Sequence, residues 1–463
     1  MNIFVFSNPK SNSMKFARLL ILTFLLLPLM LVAQDSDLYK FLKAIPGAEV
    51  KKIDSSAYKE FYIVMLPQLV DHNNPGGASF KQRVYIGHRG FERPTVMETE
   101  GYGTDWMNPF IVTEPTGLVN GNLIYIEHRY FGPSTPDPVD WKYLTIEQDA
   151  ADYHYIRNLF GQVYKGKWIA TGVSKGGQTA TAYKVFYPND VDVTIPYVAP
   201  LNYERLDKRI DKHFKTVGTK QQRNHIKDIQ IYLLKNKAAV LPAWQQIADK
   251  VGYKFTFIDS ESAFDYSVLE FPFSFWQYTA DEKKLPDLAS TTPELMAKFL
   301  FQIVPPFWYT EAAKAYQAAN YQFYTQLGYY EYDEKPFRKY LKNKDYPNSA
   351  FVPADAAIVW DQSYIEKLKK FMAGNPQNMI YIYGEADPWG ATAAQIKPET
   401  GSLVMVQKGG THGAQISTLN PEQRKLVIAT LEKWLEIDID AEVSDLGFQG
   451  QGEGETRGQG EGG

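Results

Sequence analysis

A serine between two glycines follows an apolar segment of the chain. Residues 168–173, WIATGV, are apolar and largely β-branched, and Ser174 follows them in the pattern Gly-Val-Ser-Lys-Gly, residues 172–176. Glycines on both sides of a serine allow a strand to turn sharply into a helix, which exposes the serine oxygen above the sheet. The next residues, KGGQTATAYKVFYP, have helical spacing up to Pro188. The pattern predicts that Ser174 is a nucleophile.

A serine nucleophile needs a base, and the chain order of the histidines restricts the choice. In a hydrolase with this turn, the acid and then the histidine follow the serine, each after a later strand. Four of the seven histidines precede Ser174, and His213 and His225 lie on polar faces of helix-like segments. His412 follows the strand-like segment SLVMVQ in a glycine-rich loop, KGGTHGAQ. We predict that His412 is the general base.

The acid that orients the histidine is expected at the end of the preceding strand. The segment MIYIYGEADPW offers Glu385 and Asp387. Asp387 lies further into the loop and directly before Pro388, which suits a side chain that turns back toward the histidine. Asp361, in WDQSY, is a more distant alternative. In this interpretation Ser174 attacks a carbonyl carbon, His412 transfers the proton and Asp387 orients the imidazole.

The oxyanion of the acyl-transfer step needs two backbone N–H donors. One is expected from Lys175, which follows the nucleophile, and the other from the loop after an earlier strand. The segment PTVMETEGYG ends in such a loop and offers Tyr102 or Gly103. The alternative is GHRG, residues 87–90, in which the histidine and glycine resemble a lipase motif. We favour the loop of Tyr102.

The elements that would position these residues alternate between strand-like and helix-like patterns. Short apolar segments between residues 60 and 200 are typical of buried strands: EFYIVMLPQ, QRVYIGH, PTVMET, NLIYIEHRY, WIATGV and VDVTIPYV. Their alternation with helices indicates a mostly parallel sheet that is covered on both faces. Residues 202–374 are instead mainly helical, and the strand pattern resumes after them. We therefore predict an α/β-hydrolase fold whose two parts, 34–201 and 375–446, flank a helical cap at 202–374.

The two ends of the chain differ in composition from the rest of the sequence. Lys10, Lys15 and Arg18 precede the apolar segment LLILTFLLLPLMLVAQ, which is typical of a secretory signal. We expect residues 1–33 to be cleaved after Ala33 and the protein to be exported, to the periplasm or outside the cell. Residues 447–463 are rich in Gly, Gln and Glu, a composition that predicts disorder.

Composition excludes several classes of function. Cleavage of the signal would remove three basic residues, which leaves 46 basic and 53 acidic residues and a net charge of −7. No dense basic cluster favours nucleic acid or an anionic membrane as a partner. The chain contains no cysteine, so disulfides, thiol catalysis and cysteine zinc sites are excluded. We expect peptide substrates, no metal or cofactor, no nucleic acid, and no stable membrane insertion after cleavage.

Several segments, in order, resemble a known group of serine peptidases. They are PTVMETEGYG, LIYIEHRYFGPSTP, LTIEQDAADYHYIRN, WIATGVSKGGQTATAYKVFYP and QFYTQLGYY. The order is similar to that of lysosomal Pro-Xaa carboxypeptidase and its dipeptidyl-peptidase relatives. The cysteine-free chain, with GVSKGG in place of GGSYGG, more closely resembles the secreted prolyl tri- and tetrapeptidyl aminopeptidases. The resemblance covers residues 60–440 and implies cleavage after proline near a peptide N-terminus, with Ser174, Asp387 and His412 as the triad.

This activity requires a site for the proline ring and a site for the substrate's ammonium group. Aromatic residues of the cap, Trp308, Tyr309 and Phe323, are candidates for the walls of a proline pocket. Glu100 and Glu127 are candidates for the ammonium site, with Glu127 slightly preferred. Two other functions stay open: an esterase or lipase with the same triad, and a surface binding protein without activity.

Overall fold

The computed structural model describes residues 35–374 and 376–440. The predicted signal segment, residues 1–33, and the predicted disordered tail, residues 447–463, lie outside these ranges. The chain divides into two compact units, Met1–Ile45 and Pro46–Gly463. The described part of the first unit contains the helix Asp37–Ala44, which begins where the Ser36 hydroxyl accepts the Tyr39 N–H at 3.1 Å. Within the described ranges, no helix has the length and apolarity needed to cross a membrane.

The second unit is built around a nine-stranded sheet with the order β1-β2-β3-β5-β4-β6-β7-β8-β9. The first three pairs in this order are antiparallel, and the five pairs from β5 onward are parallel. The strands are β1 Glu49–Ile53, β2 Glu60–Leu69, β3 Ser79–His88, β4 Thr95–Thr99, β5 Asn122–Ile126, β6 Trp168–Val173, β7 Val193–Tyr197, β8 Ile380–Gly384 and β9 Leu403–Gln407. This is the mostly parallel sheet of an α/β-hydrolase fold.

Helices cover both faces of the sheet because the central strands are apolar on both sides. On β8, Tyr381 and Tyr383 pack with the helices Ile146–Phe160, Lys175–Phe186 and Ser363–Ala373 on one face. Ile380 and Ile382 pack on the other face with the helices Glu114–Leu118 and Pro421–Leu435. Successive strand residues point to opposite faces. Continuous apolar strands therefore need two helical layers.

The segment between β7 and β8 contains the cap. Its helices are Lys208–Thr216, Lys220–Lys235, Lys237–Val251, Ser260–Ser274, Pro293–Ile303 and Gln317–Gln322. The four helices from Lys220–Lys235 to Pro293–Ile303 form a core of their own around Trp244, Phe264, Phe271 and Leu300, whereas Gln317–Gln322 packs in the same cluster as Tyr381 and Tyr383 of β8. The helix Ser363–Ala373 lies within the predicted cap range, 202–374, but packs on the sheet. Most of the inserted segment is therefore a separate helical layer.

Two cap helices end in a π-helical segment. Phe275–Thr279 continues the helix Ser260–Ser274, and Phe323–Leu327 continues the helix Gln317–Gln322. Short π-helical segments within α-helices are often found at functional sites. Both segments contribute side chains to the cavity described below.

Candidate active site

Ser174 lies at a strained turn between β6 and the helix Lys175–Phe186. Its φ of +56° and ψ of −121° are rare for a residue with a side chain. The two flanking glycines are required by close packing. A Cβ at Gly172 would lie 2.5 Å from the Gly176 backbone, and a Cβ at Gly176 would lie 2.7 Å from the Thr99 carbonyl oxygen. The turn has the geometry of a nucleophile elbow.

His412 and Asp387 form a buried pair at the carboxyl edge of the sheet. The His412 Nδ1 lies 2.7 Å from an Asp387 carboxylate oxygen, and both side chains are almost inaccessible to solvent. The other oxygen of Asp387 accepts the Trp389 backbone N–H at 3.2 Å. A carboxylate at this position fixes the tautomer and the orientation of an imidazole. His412 and Ser174 line one cavity.

The two alternative acids have other partners. Glu385 is exposed, and its carboxylate accepts the Gly409 backbone N–H at 2.8 Å. Asp361 accepts hydrogen bonds from Ser363 and from the Gln326 amide. Neither carboxylate contacts His412 in the hydrogen bonds of the described chain. Asp387 is therefore the acid that the structure places beside the histidine.

The loop after β4 passes directly over the start of the helix that follows Ser174. A Cβ at Gly101 would lie 2.6 Å from the Lys175 Cβ and 2.7 Å from the Gly176 N atom. The next residue, Tyr102, lines the same cavities as Ser174. The first N–H groups of a helix have no partner within it, so the Lys175 N–H is suited to an oxyanion. The structure places both predicted oxyanion residues, Lys175 and Tyr102, beside Ser174.

The alternative oxyanion segment, residues 87–90, lies at the opposite edge of the sheet. Gly87 pairs with Leu123 near the start of β5, and the Arg89 N–H donates to the Asn122 side chain at 2.8 Å. Ser174 instead follows the end of β6, which runs in the same direction as β5. The GHRG segment therefore cannot contribute a donor at Ser174.

Two cavities meet at Ser174. We call the first the cap cavity; it is lined by Ser174 and Lys175 together with cap residues that include Asn202, Glu270, Trp308 and Tyr309. We call the second the sheet-edge cavity; it is lined by Ser174 and His412 together with Glu98, Glu100, Trp106 and Tyr125. Tyr102, Tyr278 and Tyr316 line both cavities.

The predicted aromatic residues lie in the cap cavity. Trp308, Tyr309 and Phe323 all line it, as do Trp389 and Tyr329. The Trp308 ring packs against Tyr316, with 4.3 Å between the ring centroids. The cap cavity thus has apolar, flat walls on the side of Ser174 that faces the cap.

The two predicted ammonium-binding carboxylates have different surroundings. Glu100 is half-buried, lines the sheet-edge cavity, and accepts hydrogen bonds from the Tyr125 hydroxyl and the Gly101 N–H. Glu127 is fully buried and lines neither cavity. Its two oxygens accept hydrogen bonds from Arg83, from the Thr104 N–H and hydroxyl, and from the Ser134 hydroxyl. The structure therefore encloses the preferred carboxylate, Glu127, and pairs it with Arg83 away from both cavities, whereas it places Glu100 at the sheet-edge cavity.

The residues after Glu127 form a buried charged cluster that sequence reasoning did not identify. The His128 Nδ1–H donates to the Arg129 carbonyl, and its Nε2 lies 2.9 Å from Asp149 and 3.2 Å from the Lys175 ammonium nitrogen. Arg129 forms two hydrogen bonds of 2.7 Å with Asp152. Burial lowers the pKa of Lys175 to about 8, although Asp149 and Glu100 oppose this shift. The EHRY segment thus contacts the residue that follows Ser174, through His128 and the Lys175 ammonium group.

A second residue that the sequence did not single out is Glu270. It lies on the helix Ser260–Ser274 and lines the cap cavity with Ser174. Its carboxylate accepts hydrogen bonds from Tyr330 at 2.6 Å, Ser274 at 3.0 Å and Tyr332 at 3.1 Å. Burial raises its pKa to about 7, although these hydrogen bonds oppose the shift. In the described part of the chain, no cluster of His, Asp and Glu side chains has the arrangement of a metal site.

Comparison with known proteins assigns the chain to a family. The PS-10 peptidase S37 family matches residues 33–445. This chain belongs to the S37 peptidase family. As an S37 peptidase, it is a serine-type peptidase, in agreement with the resemblance noted from its motifs.

Two curated relatives illustrate the range of similarity to this S37 peptidase. It is 32% identical over 429 residues to the prolyl tri/tetrapeptidyl aminopeptidase of Streptomyces mobaraensis, across 90% of this chain and 88% of that protein. It is 30% identical over 144 residues to the serine protease vicPa of Bipolaris victoriae, across 26% of this chain and 27% of that protein.

Solved structures of other enzymes are similar at low sequence identity. The proline iminopeptidase of Mycobacterium smegmatis is 11% identical, with a TM-score of 0.34 over 84% of this chain and 98% of that chain. The peroxisomal α/β-hydrolase Lpx1 of Saccharomyces cerevisiae is 12% identical, with a TM-score of 0.33 over 88% of this chain and 94% of that chain. The strand order of the sheet carries the assignment of the S37 peptidase to the α/β-hydrolase fold.

Proposed function

We propose that this S37 peptidase is an exported aminopeptidase that releases proline-ending tripeptides or tetrapeptides from peptide N-termini. The observation that carries the proposal is the 2.7 Å contact of His412 with Asp387 beside a cavity that Ser174 shares. The name of the Streptomyces mobaraensis relative supports the substrate class. The apolar segment within residues 1–33 supports export.

The proposed reaction proceeds through an acyl-enzyme. His412 accepts the Ser174 proton as the serine oxygen attacks the carbonyl carbon, and Asp387 stabilises the imidazolium that forms. The N–H groups of Lys175 and Tyr102 stabilise the oxyanion. The imidazolium then donates its proton to the leaving amine, and water hydrolyses the acyl-enzyme by the same steps in reverse order.

The two cavities correspond to the two sides of the scissile bond in this proposal. The leaving amine receives its proton from His412, so it lies in the sheet-edge cavity that His412 lines. The acyl part, which ends in proline, then lies in the cap cavity. The aromatic side chains of Trp308, Tyr309 and Phe323 suit the apolar face of a proline ring.

A substrate panel with an active-site probe tests the proposal. The wild type should hydrolyse Xaa-Xaa-Pro arylamides faster than N-acetylated peptides or simple aryl esters. A fluorophosphonate should label the wild type but not Ser174→Ala, and circular dichroism should show that the variant is folded. Full labelling of Ser174→Ala would refute the nucleophile. Faster hydrolysis of aryl esters than of any prolyl arylamide would favour an esterase.

Export has a separate test. The complete chain is expressed in a bacterial host and the periplasm, the medium and the cytoplasm are separated. N-terminal sequencing of the exported protein should begin at Gln34. Recovery of the uncleaved chain from the cytoplasm or the membrane alone would contradict export.

A further inference from the structure

Glu270 is a buried carboxylate without a cationic partner in the cap cavity. It is 8% exposed, and three hydroxyl groups, from Ser274, Tyr330 and Tyr332, donate to it. Other buried carboxylates of the cap have cations; Asp265, for example, lies 2.7 Å from the Lys237 ammonium group. Within residues 35–374 and 376–440, none of the salt bridges includes Glu270.

A negatively charged carboxylate at this buried position is unfavourable unless a ligand neutralises its charge. Burial disfavours the charged form, so the pKa of Glu270 is raised to about 7. A glutamine could occupy this position without that charge, with its oxygen accepting from Tyr330 and Tyr332 and its NH2 group donating to the Ser274 hydroxyl. A carboxyl group with a shifted pKa that lines a cleft is a candidate for a functional site.

A second acceptor in the cap cavity also points to a ligand with N–H groups. The Asn202 side-chain amide donates to the carbonyl oxygens of Gly328 at 2.9 Å and Leu327 at 3.3 Å. These two bonds fix the orientation of the amide. The Asn202 Oδ1 is buried and accepts no hydrogen bond in the described structure. The cap cavity therefore offers a carboxylate and an amide oxygen to a ligand that brings positive charge and N–H donors.

We propose that Glu270 binds the α-ammonium group of the peptide substrate in the cap cavity that it shares with Ser174. The proposal rests on the proposed aminopeptidase function, because only a substrate with a free N-terminus brings this group. Ser174 and Glu270 then contact the two ends of the acyl part of the substrate. Their separation would fix the number of residues that are released.

The experiment compares free and N-acetylated Ala-Ala-Pro p-nitroanilide on three proteins: the wild type, Glu270→Gln and Glu331→Gln. Glu331 is the matched control, because it is a half-buried cap carboxylate whose pKa is also raised by burial. It accepts hydrogen bonds from Tyr324 and Asn348 but does not line the cap cavity.

We expect the two variants to differ in the ratio of kcat/KM between the free and the acetylated peptide. Glu270→Gln should lower kcat/KM for the free peptide at least about tenfold, mainly through KM, because an ion pair is lost. Its activity on the acetylated peptide should change little, and this activity also shows that the variant is folded. Glu331→Gln should keep the wild-type ratio between the two substrates. An unchanged ratio in an active Glu270→Gln protein would overturn the proposal and leave the aminopeptidase function intact.

The wild type alone provides a further test if Glu270→Gln does not fold. The groups that face Glu270 are Ser274, Tyr309, Tyr330 and Tyr332, and burial raises the pKa of the three tyrosines well above 10. They stay neutral near pH 7, so protonation of Glu270 should raise KM for the free peptide as the pH falls below about 7. KM for the acetylated peptide should not show this rise. Parallel profiles would overturn the Glu270 site, whereas equal rates on both peptides at every pH would refute the aminopeptidase function itself.

Discussion

The backbone N–H of His412 donates to the carbonyl oxygen of Gln277 at 2.8 Å. Gln277 belongs to the π-helical segment Phe275–Thr279 of the cap, whereas His412 lies in the loop after β9. The next cap residue, Tyr278, packs its ring edge-to-face against the imidazole, with 6.1 Å between the centroids. Gln277 and Tyr278 of the cap therefore contact the proposed base, His412, on one side. Asp387, in the loop after β8, contacts its imidazole Nδ1 on the other.

Removal of the Tyr278 ring should weaken catalysis without abolishing it. An aromatic pair of this kind contributes about 0.5–1.5 kcal/mol, so Tyr278→Ala should lower kcat/KM by up to about tenfold. Tyr278→Phe retains the ring and should be close to the wild type. Steady-state kinetics on a free prolyl arylamide measures the change. Equal losses in both variants would show that the hydroxyl, and not the ring, is the important group.

The assignment of the acid predicts unequal effects at two neighbouring carboxylates. Asp387→Asn should lower kcat by about 10⁴, because an amide favours the wrong imidazole tautomer. Glu385→Gln should have little effect, since Glu385 is exposed and contacts the Gly409 N–H instead of His412. Single-turnover kinetics at neutral pH compares the two. A severe loss in Glu385→Gln with an active Asp387→Asn would reverse the assignment.

Much of the fold could be predicted from the sequence because apolar segments mark the strands of a doubly covered sheet. The eight predicted segments correspond to β2 to β9. β1, Glu49–Ile53, has no such signal: it is an edge strand with two lysines, and most of its residues are exposed. Charged residues are common on edge strands because they hinder pairing with other chains. A pattern search for buried strands therefore cannot find it.

Residues with a role in the site were predictable where chain order or local geometry restricts them. Ser174, Asp387 and His412 each follow a strand, so their relative positions come from the order of the sheet. Glu127 and Glu270 could not be ranked in this way. Whether a carboxylate pairs with an arginine or lines a cavity depends on contacts between residues that are distant in sequence. Examples are the contacts of Glu127 with Arg83 and of Glu270 with Tyr330.

The structural role of Glu127 predicts a loss of stability. Glu127→Gln removes the fully buried carboxylate that pairs with Arg83, and breaking such a buried pair typically costs about 3–5 kcal/mol. The ratio of activities on free and acetylated peptides should stay at its wild-type value. Glu49→Gln, which removes an exposed ion pair with Lys81, should cost less than about 1 kcal/mol. Urea unfolding of the three proteins measures these differences. Equal stability of Glu127→Gln and the wild type would contradict the structural role.

The buried Lys175 predicts a pH dependence of stability. Burial lowers its pKa from 10.5 to about 8, so above about pH 8 the folded state loses a proton that the unfolded chain still binds. The free energy of unfolding of the wild type, relative to Lys175→Met, should therefore rise between about pH 8 and pH 10. The rise should be up to about 3 kcal/mol, since each pH unit in this window contributes about 1.4 kcal/mol. Urea unfolding at both pH values measures it, and a difference that does not change with pH would contradict the prediction.

The π-helical segments Phe275–Thr279 and Phe323–Leu327 have a consequence for how the cap can evolve. A π-helical turn contains more residues than an α-helical turn, so deletion of one residue could restore the α-helix. Such a deletion would remove one side chain from the turn and change which side chains the turn presents to the cavity, while the residues beyond it keep their register. Tyr278 and Phe323, which line the cap cavity, lie within these segments. The shape of the cavity can therefore be altered by a change in helix length as well as by substitution.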